Sequence, residues 1–281
     1  MRLARHGLPG AEQPLVADSE GTWHDLRPVT PDLTAAGLPA VLGRGLDAAA
    51  INALPVVPKV QRFGPPLAGI GKVVCIGLNY RDHAAETGAP IPAEPILFLK
   101  TPDTVIGPDD QVLVPRTSVK TDWEVELAVV IGHQARYLDS PEDAAAVIAG
   151  YAISNDVSER EFQMERGGQW DKGKNCETFN PLGPWLLTAD EVADPQQLDL
   201  RLWVNGELRQ NGNTANMIFG VHHLVWYVSQ FMVLCPGDVI NTGTPAGVAM
   251  GLPGQPYLRA GDVVTVEIDG LGRQEQTFGQ A

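Results

Sequence analysis

The run from Trp123 to Ile131 is apolar except for two carboxylates, Glu124 and Glu126. A run this rich in Val, Leu and Ile predicts a buried β-strand, on which Glu124 and Glu126 must point the same way. Two carboxylates at one buried point repel each other and lose hydration, so one holds a proton or a cation lies between them. This pair is the best indication of a functional site in the sequence.

A third carboxylate, Asp156, follows a second predicted strand, Tyr151 to Asn155, where that strand leaves the core. Together the three side chains would form an all-oxygen site. Such a site favours Mg²⁺, Mn²⁺ or Ca²⁺ over zinc and leaves coordination positions for water and substrate. The alternative, on the pattern alone, is a solvent-facing edge strand with a surface aspartate beyond it.

Composition limits the partners of the chain. Its 281 residues include 20 Lys and Arg against 34 Asp and Glu, and the formal charge of -14 opposes binding to nucleic acid or to anionic lipid. The three widely spaced cysteines match neither a zinc knuckle nor a disulfide framework. No apolar run has the length of a membrane helix, and the N-terminus lacks the apolar core of a signal peptide. We expect a cytoplasmic protein with no nucleic-acid or membrane partner.

Residues 1–64 indicate a small β-rich domain. Residues 15–17 and 22–26 flank a turn and predict a hairpin. Thr30 and the proline after it predict the start of a helix that ends before Gly43. Prolines punctuate the segment that follows, and we predict a domain boundary there.

Residues 65–281 show short β-runs separated by turns rich in Gly and Pro, which predict a larger second domain. The predicted strands are Lys72 to Ile76, Ile96 to Leu99, Gln111 to Val114, Val125 to Ile131, Tyr151 to Asn155, Leu198 to Val204, Val239 to Asn241 and Val263 to Ile268. The predicted helices are Asp82 to Thr87, Pro141 to Ala149 and Ala215 to Met232. Strands dominate, so we predict an α+β, mainly β fold, a mixed β-sandwich roll rather than a doubly wound parallel sheet.

His83 and Glu86 are three residues apart on the first predicted helix and therefore share a face. A carboxylate beside an imidazole fixes its tautomer and raises its basicity, so the pair could take a proton from water. Considered alone, such a pair on a short polar helix is more often surface decoration.

Cations that could bind an anionic substrate are Lys100, Arg160, Lys172 and Lys174, although charged residues are mostly just solvated. The loop from Asn241 to Gly247 could offer backbone N–H groups and a hydroxyl to a carboxylate, and turn chemistry explains its composition equally well.

Taken in order, these segments resemble the fumarylacetoacetate hydrolase superfamily over about residues 65 to 278. The resemblance rests on Asn79-Tyr80 with His83 and Glu86, Phe98-Leu99-Lys100, Trp123 to Leu127, Asp156 with Arg160 and Gln163, Lys174, Pro181 to Pro184, and Gly243-Thr244-Pro245. An ordered set of this kind is specific, and it outweighs the alternatives for the single motifs.

The resemblance implies a mixed β-roll catalytic domain, a homodimer, and a front domain of variable type. It implies Mg²⁺ or Mn²⁺ at Glu124, Glu126 and Asp156, with Ca²⁺ as an occupant in crystals. It also implies a water-activating dyad of His83 and Glu86 on a lid, a lysine for the oxyanion at Lys174, and contacts to a small keto acid from Lys100, Arg160, Gln163 and Thr244.

The activity so implied is hydrolysis of a C–C bond in a 2,4-diketo acid, an acylpyruvate or a 2,4-diketo-3-deoxy sugar acid, to pyruvate and a second acid. Residues 158–174 most resemble members that act on the sugar acids. Related members decarboxylate oxaloacetate, or isomerise or decarboxylate 2-hydroxyhepta-2,4-diene-1,7-dioate. A catalytically silent metal-binding scaffold is the alternative of another class.

Overall fold

Strands cover more of the chain than helices do in the structure, a computed structural model that describes residues 1–281. The strands are β1 (Arg2–His6), β2 (Gln13–Ala17), β3 (Trp23–Asp25), β4 (Val73–Gly77), β5 (Ile96–Lys100), β6 (Val105–Ile106), β7 (Val112–Val114), β8 (Thr121–Asp122), β9 (Val125–Ile131), β10 (Ile148–Asn155), β11 (Ser158–Glu159), β12 (Asn180–Thr188), β13 (Asp199–Val204), β14 (Glu207–Asn213), β15 (Val239–Asn241), β16 (Val263–Ile268) and β17 (Gly272–Gln280). The helices are α1 (Gly37–Arg44), α2 (Ala48–Asn52), α3 (Arg81–Thr87), α4 (Asp171–Lys174) and α5 (Val221–Ser229), and a π-helical turn spans Glu161–Glu165.

Two larger sheets carry the fold. The main sheet has ten strands in the order β3-β2-β1-β12-β10-β9-β15-β4-β5, with β6 paired to β12. The second has five strands in the order β14-β13-β16-β17-β7, and β8 pairs with β11 separately. Most neighbours are antiparallel, whereas three pairs are parallel: β4 with β15, β6 with β12, and β7 with β17. The predicted mainly β, mixed-sheet fold class is confirmed.

The alternation of side chains along β9 links the two sides of the main sheet. Val125, Leu127 and Val129 face the larger core, which contains β13, β16 and α5. Ala128 and Val130 face a smaller core formed with the N-terminal segment. All seven residues of β9 are buried and the strand lies between β10 and β15, so the edge-strand alternative is wrong.

The N-terminal segment joins the main sheet. The predicted hairpin is confirmed as β2 and β3, and β1 pairs with both β2 and β12. The predicted helix is wrong at both ends, since α1 begins at Gly37 and runs through Gly43 to Arg44. The Thr30 hydroxyl lies in a turn before it and donates to the Asp32 carbonyl. The boundary between residues 64 and 65 stays a prediction.

The long helix predicted from Ala215 to Met232 is wrong at both ends, since α5 spans Val221–Ser229. Met217 forms an isolated bridge with Tyr80, and the N–H of Ile218 donates to the Asn79 carbonyl at 2.7 Å. These apolar residues continue the helical periodicity while lying in extended chain. No helix has the length and apolar character needed to cross a bilayer.

Candidate active site

Two strand ends bring the three predicted carboxylates together. Antiparallel β9 and β10 pair with Glu126 opposite Ser154, so the start of β9 lies beside the end of β10. Glu124 immediately precedes β9 and Asp156 immediately follows β10, and the Asp156 N–H donates to the Glu124 carbonyl at 2.9 Å. One oxygen from each carboxylate lies within 4.8 Å of the others. All three side chains are buried.

Two lysines hold Asp156. The Lys174 Nζ lies 2.8 Å from Glu124 Oε2 and 2.8 Å from Asp156 Oδ2, so it uses two of its three hydrogens. The Lys100 ammonium contacts the other oxygen of Asp156, and it donates to the carbonyls of Val157 and Phe179 at 3.0 and 2.6 Å. Lys100 therefore has no hydrogen left for a ligand.

Arg160 joins three side chains at the next corner of the site. Its Nε donates to Asp122 at 2.8 Å, its Nη1 donates to Gln163 at 3.0 Å, and its Nη2 lies 2.7 Å from Glu124. Asp122 is fully buried and also accepts the N–H of Ala249 at 2.7 Å. The guanidinium is thereby fixed in orientation beside Glu124.

The two glutamates of β9 differ in their electrostatic surroundings. Burial alone would raise the pKa of Glu124, but the charges of Lys174 and Arg160 outweigh it and lower that pKa. Burial raises the pKa of Glu126 well above its usual value, and the charges of Asp156 and Glu124 raise it further. Glu126 has no cationic side-chain partner and accepts only the Gly243 N–H, at 2.8 Å.

The residues present fit a divalent cation. Three carboxylates in one buried cluster form the oxygen donor set that hard cations prefer. Glu126 is the carboxylate that lacks a positive partner, and a cation beside it would supply one.

Helix α3 carries the predicted dyad. His83 Nδ1 lies 3.2 Å from Glu86 Oε2, and the other oxygen of Glu86 accepts the Gly247 N–H at 2.9 Å. His83 is only 7% exposed, so the surface-decoration alternative is wrong. With Nδ1 donating to Glu86, Nε2 is the basic nitrogen.

The loop after β15 supports the site from its backbone. Besides the N–H groups of Gly243 and Gly247, it places the Thr244 hydroxyl 2.9 Å from the Val125 carbonyl, to which it donates. The buried Gln210 amide donates to Thr244 Oγ1 at 2.8 Å and accepts the Val125 N–H at 3.0 Å. Gln210 thus ties this loop to β9.

Several of these groups line a cavity of about 530 Å³. Its polar side is formed by Glu124, Glu126, Lys174 and Arg160. Asp156 lies behind these side chains and does not line the cavity. These five residues are here called the carboxylate floor. The apolar wall of the cavity consists of Leu78, Ile96, Phe98, Met164 and Trp170. His83, Glu86, Gln163 and Thr244 also line the cavity.

The structure gives Lys100 a different place from the one expected. It is 1% exposed and does not line the cavity, because its ammonium is enclosed behind Asp156. We therefore revise its role from substrate contact to holding that carboxylate.

Asp122, Gln210 and Trp170 belong to the site but escaped the sequence analysis. Asp122 and Gln210 act through contacts between segments that are distant in the sequence, and such pairings leave no local pattern. Trp170 lies in a Gly-rich stretch, and an aromatic residue there was the one available signal.

Comparisons with known proteins agree with this architecture. The family model for the fumarylacetoacetate (FAA) hydrolase C-terminal domain matches residues 72–279. A relative from Burkholderia multivorans, provisionally named a hydrolase, is 51% identical over 282 residues, covering 98% of each chain.

Two solved structures share the fold. Maleylpyruvate hydrolase from Sphingobium sp. SYK-6, in complex with manganese(II) ion and pyruvate, has a TM-score of 0.81 at 30% identity and covers 100% of both chains. The 2-hydroxyhepta-2,4-diene-1,7-dioate isomerase from Mycobacterium marinum has a TM-score of 0.74 at 30% identity, covering 100% of this chain and 98% of the other. With a family match over most of its length and a relative at half identity, this chain belongs to the fumarylacetoacetate hydrolase family.

Proposed function

We propose that the protein is a divalent-metal-dependent hydrolase that cleaves a C–C bond of a 2,4-diketo acid, yielding pyruvate and a second acid. The observation that carries the proposal is the His83–Glu86 pair, which lines the same cavity as the carboxylates Glu124 and Glu126. A histidine base with its carboxylate partner, facing a cluster of carboxylates that fits a metal ion, supports activation of water beside a bound keto acid. The similarity to a maleylpyruvate hydrolase supports the same reaction class.

Glu124, Glu126 and Asp156 would hold Mg²⁺ or Mn²⁺, which when bound would polarise the keto-acid oxygens and offset charge that develops there. Beside the metal ion, Arg160 and Gln163 would orient the substrate carboxylate. The Arg160 guanidinium has five N–H groups, and its contacts with Asp122, Gln163 and Glu124 leave two of them for the substrate. The Thr244 hydroxyl donates its hydrogen to the Val125 carbonyl. Thr244 would therefore hold the start of β9 in place, and it could only accept a hydrogen bond from the substrate.

His83 Nε2 would take a proton from water while Glu86 holds the Nδ1–H. The hydroxide would add to the C4 carbonyl, and the third hydrogen of Lys174 would stabilise the resulting oxyanion. The C3–C4 bond then breaks and the proton passes to C3. The balance is one diketo acid and one water giving one carboxylic acid and one pyruvate.

A direct test measures pyruvate release with lactate dehydrogenase from acylpyruvates, a 2,4-diketo-3-deoxy sugar acid and oxaloacetate, with Mg²⁺, Mn²⁺ or EDTA. We expect metal-dependent pyruvate together with a second acid and no carbon dioxide. Stoichiometric carbon dioxide from oxaloacetate would make the protein a decarboxylase instead. The predicted homodimer is tested separately by light scattering.

Isomerisation is the second candidate, favoured by the similarity to the Mycobacterium marinum isomerase. It predicts an absorbance change of 2-hydroxyhepta-2,4-diene-1,7-dioate without pyruvate release. A silent scaffold would show metal binding and no turnover of any of these compounds.

A further inference from the structure

The apolar wall contains aromatic side chains that contact each other beside the floor. The Phe98 and Trp170 rings meet edge to face with centroids 5.6 Å apart. Phe98 also lies under the Lys174 ammonium, 5.0 Å from Nζ to the ring centroid, so the wall adjoins the floor directly. A substrate held at the floor by its keto-acid end would therefore lay its other end along these rings.

Part of the wall remains exposed although it is apolar. Ile96 is 37% exposed and Met164 is 49% exposed, and both line the cavity. Exposed apolar side chains that gather at a cavity mark a place where a ligand buries them.

Positive charge is confined to the floor. The only lysine and arginine that line the cavity are Lys174 and Arg160, and both contact Glu124. Two cations of the neighbouring loop do not line the cavity: Arg166 pairs with Glu161 at 2.6 Å, and Lys172 donates to the Arg166 carbonyl at 2.7 Å. A second carboxylate packed against the wall would lose part of its hydration, and no lysine or arginine lines the wall to pair with it.

We infer that the substrate has a single carboxylate and that the group beyond its C4 carbonyl is uncharged and packs against Phe98 and Trp170. This inference rests on the proposed hydrolase function and narrows it. It separates the protein from the two compared structures, because maleylpyruvate and the heptadienedioate each carry two carboxylates.

The test compares butanoylpyruvate with succinylpyruvate, which differ only by a terminal methyl in place of a carboxylate, in the intact protein with Mg²⁺ or Mn²⁺. We expect kcat/KM to favour butanoylpyruvate by about 100-fold, since the pocket offers the charged end no partner. Equal turnover of the two, or preference for succinylpyruvate, would overturn the inference and leave the hydrolase proposal intact. No pyruvate from either, nor from acetylpyruvate or a 2,4-diketo-3-deoxy sugar acid, would overturn the proposed function itself.

A positive charge introduced at the wall tests where the end of the substrate beyond the C4 carbonyl lies. Ile96→Lys should lower the preference for butanoylpyruvate by about 10-fold, because the ammonium would pair with the succinyl carboxylate. Leu99→Lys is the matched control, since Leu99 is 46% exposed on the same strand and does not line the cavity. The same ratio in both variants would overturn the placement of the substrate against this wall.

Discussion

The floor and the apolar wall enclose one cavity but are built differently. Glu124, Glu126 and Asp156 lie at the ends of central strands, and each accepts hydrogen bonds from groups on other segments. The wall comes from the end of β4, from β5 and from the residues around a π-helical turn, and its side chains are partly exposed. The difference suggests that the reaction is fixed by the core of the fold, whereas substrate choice depends on segments that can change without loss of the core.

Asp156→Ala should have the largest effect, on activity and stability together. It leaves Lys100 buried with no carboxylate partner, and breaking a buried ion pair costs about 3 to 5 kcal/mol. We expect loss of metal-dependent turnover and a lower midpoint of urea unfolding, with exposed Asp190→Ala as control. Retained turnover with unchanged stability would mean that the floor, like the wall, can change without loss of the reaction or of the core.

His83→Ala should lower kcat by about 100-fold to 10,000-fold while metal binding persists, because the imidazole acts on water and not as a ligand. Pyruvate release and the thermal shift on adding Mn²⁺ measure the two effects separately. His222→Ala, exposed on α5, is the control. Unchanged turnover would remove His83 from the mechanism.

The pKa of Glu126 predicts a pH-dependent response to metal. Because this pKa is raised in the folded protein, the neutral form is favoured there, and stability from this group is lost as pH rises through the raised value. A divalent cation favours the carboxylate, so its stabilising effect should grow as the pH rises above the usual pKa of a glutamate. Thermal unfolding with EDTA and with Mg²⁺ measures it. If stabilisation by Mg²⁺ depends on pH equally in the Glu126→Gln variant, the titrating group is not Glu126.

Gly77→Ala should give the smallest effect and should act on the wall alone. A Cβ at this position would lie 2.4 Å from the Trp170 ring, which must then shift. We expect kcat/KM for benzoylpyruvate to fall by about 10-fold while acetylpyruvate, which is too short to reach the wall, is little affected. Gly43→Ala, with open space around its Cβ, is the control. Equal losses for both substrates would mean that the wall also affects the floor.

The sequence predicted the floor better than its surroundings. Val125–Ile131 matches β9 at both ends, because a short run rich in Val, Leu and Ile favours a buried strand in a mainly β chain. The shared direction of Glu124 and Glu126 followed from the period of the strand. By contrast, β14 (Glu207–Asn213) and β17 (Gly272–Gln280) were missed, since polar and glycine residues fill them and neighbouring strands stabilise them.

Roles that depend on long-range pairing could not be predicted. Lys100 ends a predicted strand and was taken for a substrate contact, yet its ammonium lies among Asp156, Val157 and Phe179. Only the reach of the Lys100 side chain from the end of β5 to the residues that follow β10 reveals that enclosure. The same holds for Gln210, whose amide reaches Thr244 from another sheet.

The loop after β15 presents main-chain N–H groups to three acidic side chains: Gly243 to Glu126, Gly247 to Glu86, and Ala249 with Met250 to Asp122. Every amino acid except proline carries that N–H, so most side-chain replacements in the loop leave the contacts in place. The exceptions are the two glycines, at φ +95° and +105°, where a Cβ would lie 2.7 Å from the Asn79 Cβ and 2.0 Å from the Arg209 carbonyl oxygen. Homologues can therefore diverge along much of this loop and keep the same chemistry, provided that its length, its two glycines and the Thr244 hydroxyl survive.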